Sequence, residues 1–283
     1  MMITLNQIIR SRAGFVTAAA ALILNLSLAH AVPFNPNVVI TGSNAFDMNE
    51  SFNASGGFSM VSGGTTTNSS YSYNTVTELS EVTGGGNPLA GALTDTGDGF
   101  GFNGTASATD DAFLIGFDTS INIINNSSFM QTVVFRLTFS NMVNADDPAG
   151  YDPDDLDNDF TEAYARSNLF LSDDIINDDI FFSDLTSDTN PSNGDLIGDV
   201  AIDPPSFGAS LAENGDLLFT YIMNPSDEVN LLLSWALEGE DLAGGLAEGN
   251  LNAFLSVDRV VPVPGALWLM LSGMLVLIRV ARK

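Results

Sequence analysis

Strict alternation of apolar and polar side chains in residues 130–143 (MQTVVFRLTFSNMV) constrains the fold of this 283-residue chain most strongly. One face of the extended segment would carry Val133, Phe135, Leu137 and Phe139. The opposite face would carry Thr132, Val134, Arg136 and Thr138. A period of two residues is typical of a β-strand with one buried face and one hydrated face. The segment therefore predicts a sheet that needs a second layer to cover its apolar side.

Further segments rich in β-branched and aromatic residues predict more strands. They are residues 112–124, Ala163–Leu171, Asp179–Leu185, a short strand in 195–205 stopped by Pro204-Pro205, and 251–260. Residues 215–241 predict a hairpin with its turn at Asn224–Asp227. The Gly-, Ser- and Asn-rich stretch 41–110 predicts strands with small side chains joined by glycine turns, because its aromatic residues argue against a disordered linker.

About seven to ten short strands, with turn signals every 8–12 residues or so, predict an all-β fold. We expect a jelly-roll-like β-sandwich ectodomain over residues 32–260. Trp235 lies within the apolar segment LLLSWAL, so we place it in the core rather than in a sugar-stacking platform.

Charge and missing residue types exclude several functions. The chain has 35 Asp and Glu but 8 Lys and Arg, and only Arg136, Arg166 and Arg259 lie within residues 32–260, which leaves that stretch at −32. Such a field repels phosphate backbones, so we predict no nucleic-acid binding. There is no cysteine, and the only histidine is His30. Ser-His-Asp sites, Cys-His sites and His or Cys zinc sites are therefore excluded from residues 32–260.

The N-terminus predicts a signal peptide at residues 1–31. Arg10 and Arg12 form a basic region, and an apolar run follows through Leu28. Ala29 and Ala31 then supply the small-x-small pattern that signal peptidase requires. The alternative is an uncleaved anchor, but the run is short and the cleavage pattern is complete. Signal peptidase is therefore a predicted partner.

The C-terminus predicts a second membrane element at residues 261–283. No charge occurs between Pro262 and Ile278, and we expect a transmembrane helix over 265–278. Arg279, Arg282 and Lys283 follow as a basic membrane stop that stays inside the cell. The stretch between the two elements would be exported. A buried core helix is the alternative, which the terminal position and the cationic tip disfavour.

These end segments together resemble the PEP-CTERM class of exosortase-sorted bacterial proteins. The resemblance rests on the proline motif Val261, Pro262, Val263, Pro264 and Gly265, on the apolar run after it, and on the basic tip. Val263 replaces the glutamate of the name motif, so the segment looks more like the VPLPA-type variant. The resemblance implies processing by an exosortase-type enzyme, transient residence in the inner membrane of a Gram-negative bacterium, and final delivery to the cell surface or the extracellular matrix. A plain single-span anchor remains the alternative.

The densest acidic run, residues 144–165, is the strongest candidate metal site. Hard oxygen ligands suit Ca²⁺, and the candidates are Asp152, Asp154, Asp155, Asp157 and Asp159. An EF-hand does not fit, because Phe160 takes the place of the required glycine and Arg166 that of the bidentate glutamate. We favour a solvated acidic loop, and we expect no other cofactor. Weaker candidates are Asp95 with Asp98, and the group Asp173, Asp174, Asp178 and Asp179.

Two classes of function remain open after these exclusions. We favour a non-enzymatic surface or matrix protein that contacts exopolysaccharide. The rival is a secreted carboxylate-dependent polysaccharide hydrolase, for which Glu162, Glu213 and Glu238 can be nominated although nothing selects a pair. A Ca²⁺- or carbohydrate-binding module is a further alternative.

Overall fold

The computed structural model describes residues 37–74, 79–81, 89–146, 163–176, 178–190, 193–198, 200–241 and 244–262. Within these ranges the chain forms fifteen β-strands and no helix. They are β1 (Val38–Phe52), β2 (Ala54–Ser62), β3 (Thr65–Asn74), β4 (Leu79–Glu81), β5 (Ala90–Leu93), β6 (Gly99–Ala108), β7 (Ala112–Asn125), β8 (Gln131–Asp146), β9 (Ala163–Asp173), β10 (Asp178–Asp188), β11 (Leu196–Ile197), β12 (Val200–Ala201), β13 (Leu211–Met223), β14 (Glu228–Asp241) and β15 (Leu246–Pro262).

The strands form two antiparallel sheets. The first sheet has eight strands in the order β12-β11-β10-β9-β14-β7-β1-β5, and the second has seven in the order β13-β8-β15-β6-β2-β3-β4. Consecutive strands often change sheet, as in the run β7, β8 and β9. The all-β prediction is confirmed, and the two packed sheets form the expected β-sandwich.

The alternation of apolar and polar residues in the sequence corresponds to an alternation of buried and more exposed side chains along the strands. In β8 the side chains of Val133, Phe135 and Leu137 are buried in the core, as predicted, whereas Arg136 and Thr138 lie on the outer face. Strand β7 shows the same alternation along its whole length, between its neighbours β1 and β14. The long central strands therefore each contribute one apolar row to the space between the sheets.

Trp235 lies at the centre of that space, which confirms its predicted core position. Its side chain is 2% exposed and stacks on Phe117 at 5.2 Å and on Phe102, from the second sheet, at 6.1 Å between ring centroids. Its indole Nε1 donates a hydrogen bond of 2.8 Å to Ser167 Oγ. Gly104 of β6 lies directly opposite, and a Cβ there would stand 2.4 Å from the indole ring. The two sheets approach closely here because that position has no side chain.

Three strand predictions are wrong in ways that affect the architecture. β13 and β14 do not pair as a hairpin: β13 pairs with β8, and β14 pairs with β7 and β9, so the turn at Asn224–Asp227 joins one sheet to the other. Residues 195–205 contain two short paired strands, β11 and β12, instead of one. The strands are also more numerous than predicted, and several are long, such as β8 and β15.

The last strand is longer than the predicted 251–260. It runs from Leu246 to Pro262 and pairs with β6 and β8. Near its end the register shifts between Val257 and Arg259, and pairing with β8 then continues to Pro262, opposite Gln131. The paired structure therefore includes the first proline of the C-terminal motif.

The sandwich has two unlike ends. At the end that we call proximal, residue 37 leads into β1 and Pro262 ends β15, beside the loops 126–130, 174–177 and 224–227. At the opposite, distal end, Asp146 ends β8 and Ala163 begins β9, where they pair with Leu246 and Asp241. Both attachment points of the acidic run are therefore distal, and both ends of the described chain are proximal.

Candidate functional site

Two residues of the predicted sorting motif lie within the described part of the chain. Val261 and Pro262 are both exposed and form the last two ladder positions of β15, opposite Thr132 and Gln131. Outside the described residues lie the other predicted positions: Val263, Pro264, Gly265, Arg279, Arg282, Lys283, Ala29, Ala31, Asp152, Asp154, Asp155, Asp157 and Asp159. Among the described residues no helix has the length and apolarity to span a membrane.

The glutamates nominated for hydrolysis do not converge. Glu162 lies outside the described residues. Glu213 is on β13 at the edge of the second sheet, opposite Asn141, whereas Glu238 is on β14 in the first sheet, opposite Arg166. The two described glutamates therefore lie on different sheets, which is not the arrangement of two carboxyl groups flanking one bond.

Buried aspartates in the described chain hold loops by accepting backbone hydrogen bonds. Asp98 Oδ2 accepts from the N–H groups of Gly63, Thr94 and Asp95 at 2.9, 2.7 and 2.9 Å. Asp195 accepts from the N–H groups of Asp188, Gly208 and Ala209 at 2.9–3.0 Å. Such carboxylates replace the missing ladder partners of irregular backbone.

Asp241 has the same role at the distal end, where it accepts from the N–H groups of Asp110 and Gly245 at 2.8 and 3.1 Å. Within the ranges that the structure describes, no three His, Cys, Asp or Glu side chains are grouped as a metal site. Asp95 accepts from the N–H of Thr96, and Asp173 from that of Ile175. The weaker calcium candidates thus act as local hydrogen-bond acceptors.

Among the described residues, three titrating groups have shifted pKa values. Burial alone would raise the pKa of Asp98, but hydrogen bonds from the backbone of Gly63, Thr94, Asp95 and Gly64 outweigh it and lower the pKa below 3.8. Burial raises the pKa of Tyr221, and the carboxylate of Asp173, which accepts its hydrogen bond, raises it further. The pKa of Tyr164 is raised by burial and then by the nearby negative charges of Glu238, Glu240 and Asp188.

A groove of about 490 Å³ crosses the outer face of the first sheet, and we call it the aromatic groove. It is lined by Gly116, Phe117, Asp118, Asn168, Phe170, Asp179, Phe182, Ser234, Trp235 and Ala236. Adjacent strands place Asp118, Ser234, Phe170 and Phe182 opposite one another in a single row. Ser234 Oγ donates a short hydrogen bond to Asp118, and Phe182 is 49% exposed.

A second groove, of about 530 Å³, lies on the outer face of the second sheet, and we call it the polar groove. Its lining includes Asn53, Ser55, Thr105, Ser107, Glu248 and Asn250. Asn53 Nδ2 donates 2.8 Å to Asp111 Oδ2, and the hydroxyls of Ser55 and Thr105 are 3.2 Å apart. The groove offers hydroxyls, amides and the carboxylate of Glu248.

Sequence reasoning identified neither groove. Each one collects outward-facing residues from four strands that are far apart in the chain. The one available signal in the sequence was the set of outward-facing positions in each alternating strand. Asp118, Phe170 and Ser234 occupy such positions. Neighbours on a sheet face depend on strand order and register, and neither can be read from a single strand.

Comparison with known proteins adds no identity. No protein-family model matches the chain, and no curated protein matches it either. The structure of infectious bursal disease virus Gx strain aligns with 81% of this chain and 65% of that chain, at 7% identity and a TM-score of 0.16. The Gt strain aligns with 80% and 66%, at 8% identity and 0.15. The chain thus spans slightly less than two thirds of those chains, and likenesses this weak support no conclusion.

Proposed function

We propose that this protein is an exported, non-enzymatic cell-surface or matrix component, held at the inner membrane by its C-terminal segment until an exosortase-type enzyme acts on the proline motif. The ectodomain is a jelly-roll-like sandwich between a removable signal peptide, residues 1–31, and the membrane helix 265–278. The repeated passage of consecutive strands from one sheet to the other supports the jelly-roll assignment.

One observation carries the proposal. Strand pairing ends at Pro262, an exposed residue at the proximal end, and the uncharged run that follows Arg259 continues from there through Ile278. The motif Val261–Gly265 therefore starts on the last two rungs of β15. An enzyme of the membrane could reach it without unfolding the core, because only two ladder positions would have to separate.

The aromatic groove favours a second candidate function, carbohydrate binding by the same sandwich. The exposed ring of Phe182 offers an apolar platform for a sugar face, and Asp118, Asn168 and Asp179 offer polar groups beside it. The carboxylates would favour neutral over anionic sugars. This candidate requires binding without bond cleavage, in keeping with the separation of Glu213 and Glu238.

Intact-mass measurement of the protein from its native host tests the main proposal. We expect a form that starts near Val32 and has lost the mass of the C-terminal segment, with an unprocessed precursor in the membrane fraction. Pro262→Ala with Pro264→Ala should make the precursor accumulate, and Pro225→Ala in the turn between β13 and β14 is the matched control. A full-length form dissolved in the cytosol would overturn the proposal.

Incubation with a panel of polysaccharides separates the two candidates from the rival hydrolase. Neither of our candidates predicts released sugar. Carbohydrate binding predicts retention on a neutral polysaccharide column that Phe182→Ala weakens and Phe207→Ala, an equally exposed control, leaves unchanged. Sugar release that disappears on Glu238→Gln would establish hydrolysis and exclude the non-enzymatic assignment.

A further inference from the structure

Large apolar side chains are exposed at the proximal end of the sandwich. They are Val39, Phe129, Ile175, Ile176, Ile222 and Val261, and they are 36–65% exposed. We call this set the proximal apolar surface. Ile222, Thr132 and Val261 occupy neighbouring positions across β13, β8 and β15, and Phe129 lies in the loop that leads into β8. Large exposed apolar residues gathered at one end of a fold are typical of a contact surface.

The loops that carry these residues are held by side chains beneath them. Asn125, which is fully buried, donates from Nδ2 to the carbonyl oxygens of Phe129, Met223 and Asn224, each at 3.0 Å. Ser127 Oγ also donates to the Phe129 carbonyl, at 2.7 Å. At the next loop, Asp173 Oδ1 accepts from the N–H of Ile175 at 3.0 Å. The apolar side chains are therefore presented on fixed backbone.

Covalent geometry places this surface beside the membrane if the C-terminal segment spans it. Only two residues, Val263 and Pro264, separate Pro262 from the start of the proposed helix at 265. The three Cα–Cα steps from Pro262 to residue 265 can span at most about 11 Å. The headgroup layer on each side of the hydrocarbon core is about 5–8 Å thick. The proximal end therefore lies in the headgroup layer or within a few ångströms of it.

Charge at the same end indicates which lipid surface it suits. Exposed carboxylates surround the apolar residues: Asp174, Asp178, Asp179 and Glu228. The described cation nearest the chain exit is Arg259, whose Nε lies 3.7 Å from Asp258 Oδ2. An anionic surface would repel this rim, whereas ammonium groups of zwitterionic headgroups can pair with it.

We propose that the proximal apolar surface rests in the headgroup region of a zwitterionic bilayer and orients the sandwich with its acidic distal end toward the solvent. This inference rests on the proposed membrane helix and adds a second, non-covalent contact between ectodomain and lipid. Amphipathic surfaces of this type insert to the boundary between headgroups and acyl chains. The contact would hold β15 at a fixed distance from the membrane.

Single-cysteine labelling of the full-length chain tests the inference, and the absence of native cysteine makes each label unique. The full chain is placed in phosphatidylcholine–phosphatidylethanolamine vesicles with a quencher in the upper acyl chain. A fluorophore at Phe129→Cys or Ile176→Cys should lose about half of its emission, because these positions would lie at quencher depth. The same fluorophore at Thr109→Cys, at the distal end, is the control and should lose almost none.

Flotation of the vesicles distinguishes a failure of the proposed membrane anchor from a failure of the further inference alone. If the full chain does not float with the vesicles, the membrane anchor is wrong and the inference falls with it. If the chain floats but positions 129 and 176 are quenched no more than 109, the anchor stands and the inference alone is overturned. Self-quenching between labels without lipid quenching would indicate a second copy of the chain on this surface, which also overturns it. Equal or stronger quenching in phosphatidylglycerol vesicles would contradict the role of the carboxylates.

Discussion

At the residue scale, buried aspartates replace the missing partners of irregular backbone. Asp98 is 1% exposed, and its carboxylate gathers N–H groups from two separate loops, at Gly63 and at Thr94–Asp95. An amide of the same shape can place its one acceptor oxygen at the position of Oδ2, but it lacks the negative charge that strengthens these hydrogen bonds. The negative charge is therefore a structural requirement at this position.

Asp98→Asn should lower the free energy of unfolding by about 1–2 kcal/mol near neutral pH, since charge-assisted hydrogen bonds become weaker neutral ones. Asp95→Asn, at an exposed neighbour, should change it by less than about 0.5 kcal/mol. Denaturant unfolding measures both. Equal effects would contradict the role given to Asp98.

Because the pKa of Asp98 is lowered, the difference in stability between the wild type and Asp98→Asn depends on pH in a defined way. The folded state holds the proton less tightly than the unfolded state, so the stabilisation is complete above the ordinary value of 3.8. It is lost as the pH falls below 3.8 through the folded-state pKa. Unfolding free energies measured from about pH 6 down to pH 3 should show the wild-type advantage over Asp98→Asn shrinking only at the acidic end. A constant advantage would exclude the proposed cause.

Tyr221 links the core to the proximal loop and has the opposite pH dependence. Its pKa is raised by burial and by Asp173, so its contribution to stability is complete below the ordinary value of 10.0 and is lost as the pH rises above it. Tyr221→Phe should cost about 1–2 kcal/mol at pH 7, because Asp173 loses a donor. The difference should shrink above about pH 10. Urea unfolding between neutral and alkaline pH measures it, and an unchanged difference would contradict this cause.

At the element scale, the close approach of the two sheets depends on a position without a side chain. β6 crosses the Trp235 ring at Gly104, where a Cβ would lie 2.4 Å from the indole and 3.1 Å from Phe117. The ring is enclosed by stacked aromatics, so it has no space to move aside. One strand thus limits the spacing of both sheets.

Gly104→Ala should destabilise the protein by about 2–3 kcal/mol through overpacking. Gly91→Ala on β5 is the matched control, because the nearest atom to its added methyl is the flexible Met60 Sδ at 3.1 Å, and it should cost less than about 1 kcal/mol. Thermal melting of the two variants gives the comparison. Equal costs would show that the sheets can separate at Gly104.

At the scale of the whole molecule, the acidic run is attached at one end of the sandwich and the proximal apolar surface lies at the other. Both attachment points of the acidic run are distal, and the exposed apolar residues of the proximal surface lie beside the chain exit. The whole chain has a net charge of −27, so self-repulsion opposes the compact state. Stability should therefore respond to the ions in solution.

Sodium chloride at 0.5 M or so should raise the melting temperature by about 3 °C relative to low salt, because screening weakens this repulsion. Calcium chloride at equal ionic strength should add a further increase if Asp152, Asp154, Asp155, Asp157 and Asp159 bind Ca²⁺, and chelation should reverse it. The same melt with sodium and calcium would support the solvated acidic loop.

The sequence alone determined the all-β class, the strands β7, β8, β9 and β10, and the core position of Trp235. These follow from side-chain period and composition, which act over a few residues. Local apolarity and charge also predict a C-terminal membrane element, and the sorting motif stays a prediction that rests on the family resemblance. The sequence of a single strand could not reveal which other strands it pairs with. The turn Asn224–Asp227, for example, is equally suited to a hairpin or to a crossing between sheets.

Only the tertiary structure decided strand order, register and the two unlike ends. Those features brought Asp118, Phe170 and Phe182 into one groove and placed Phe129, Ile222 and Val261 beside the chain exit. Each is a neighbour relation between segments up to about 130 residues apart. Local periodicity states which face of a strand is buried, whereas the packing of all strands together selects which faces meet.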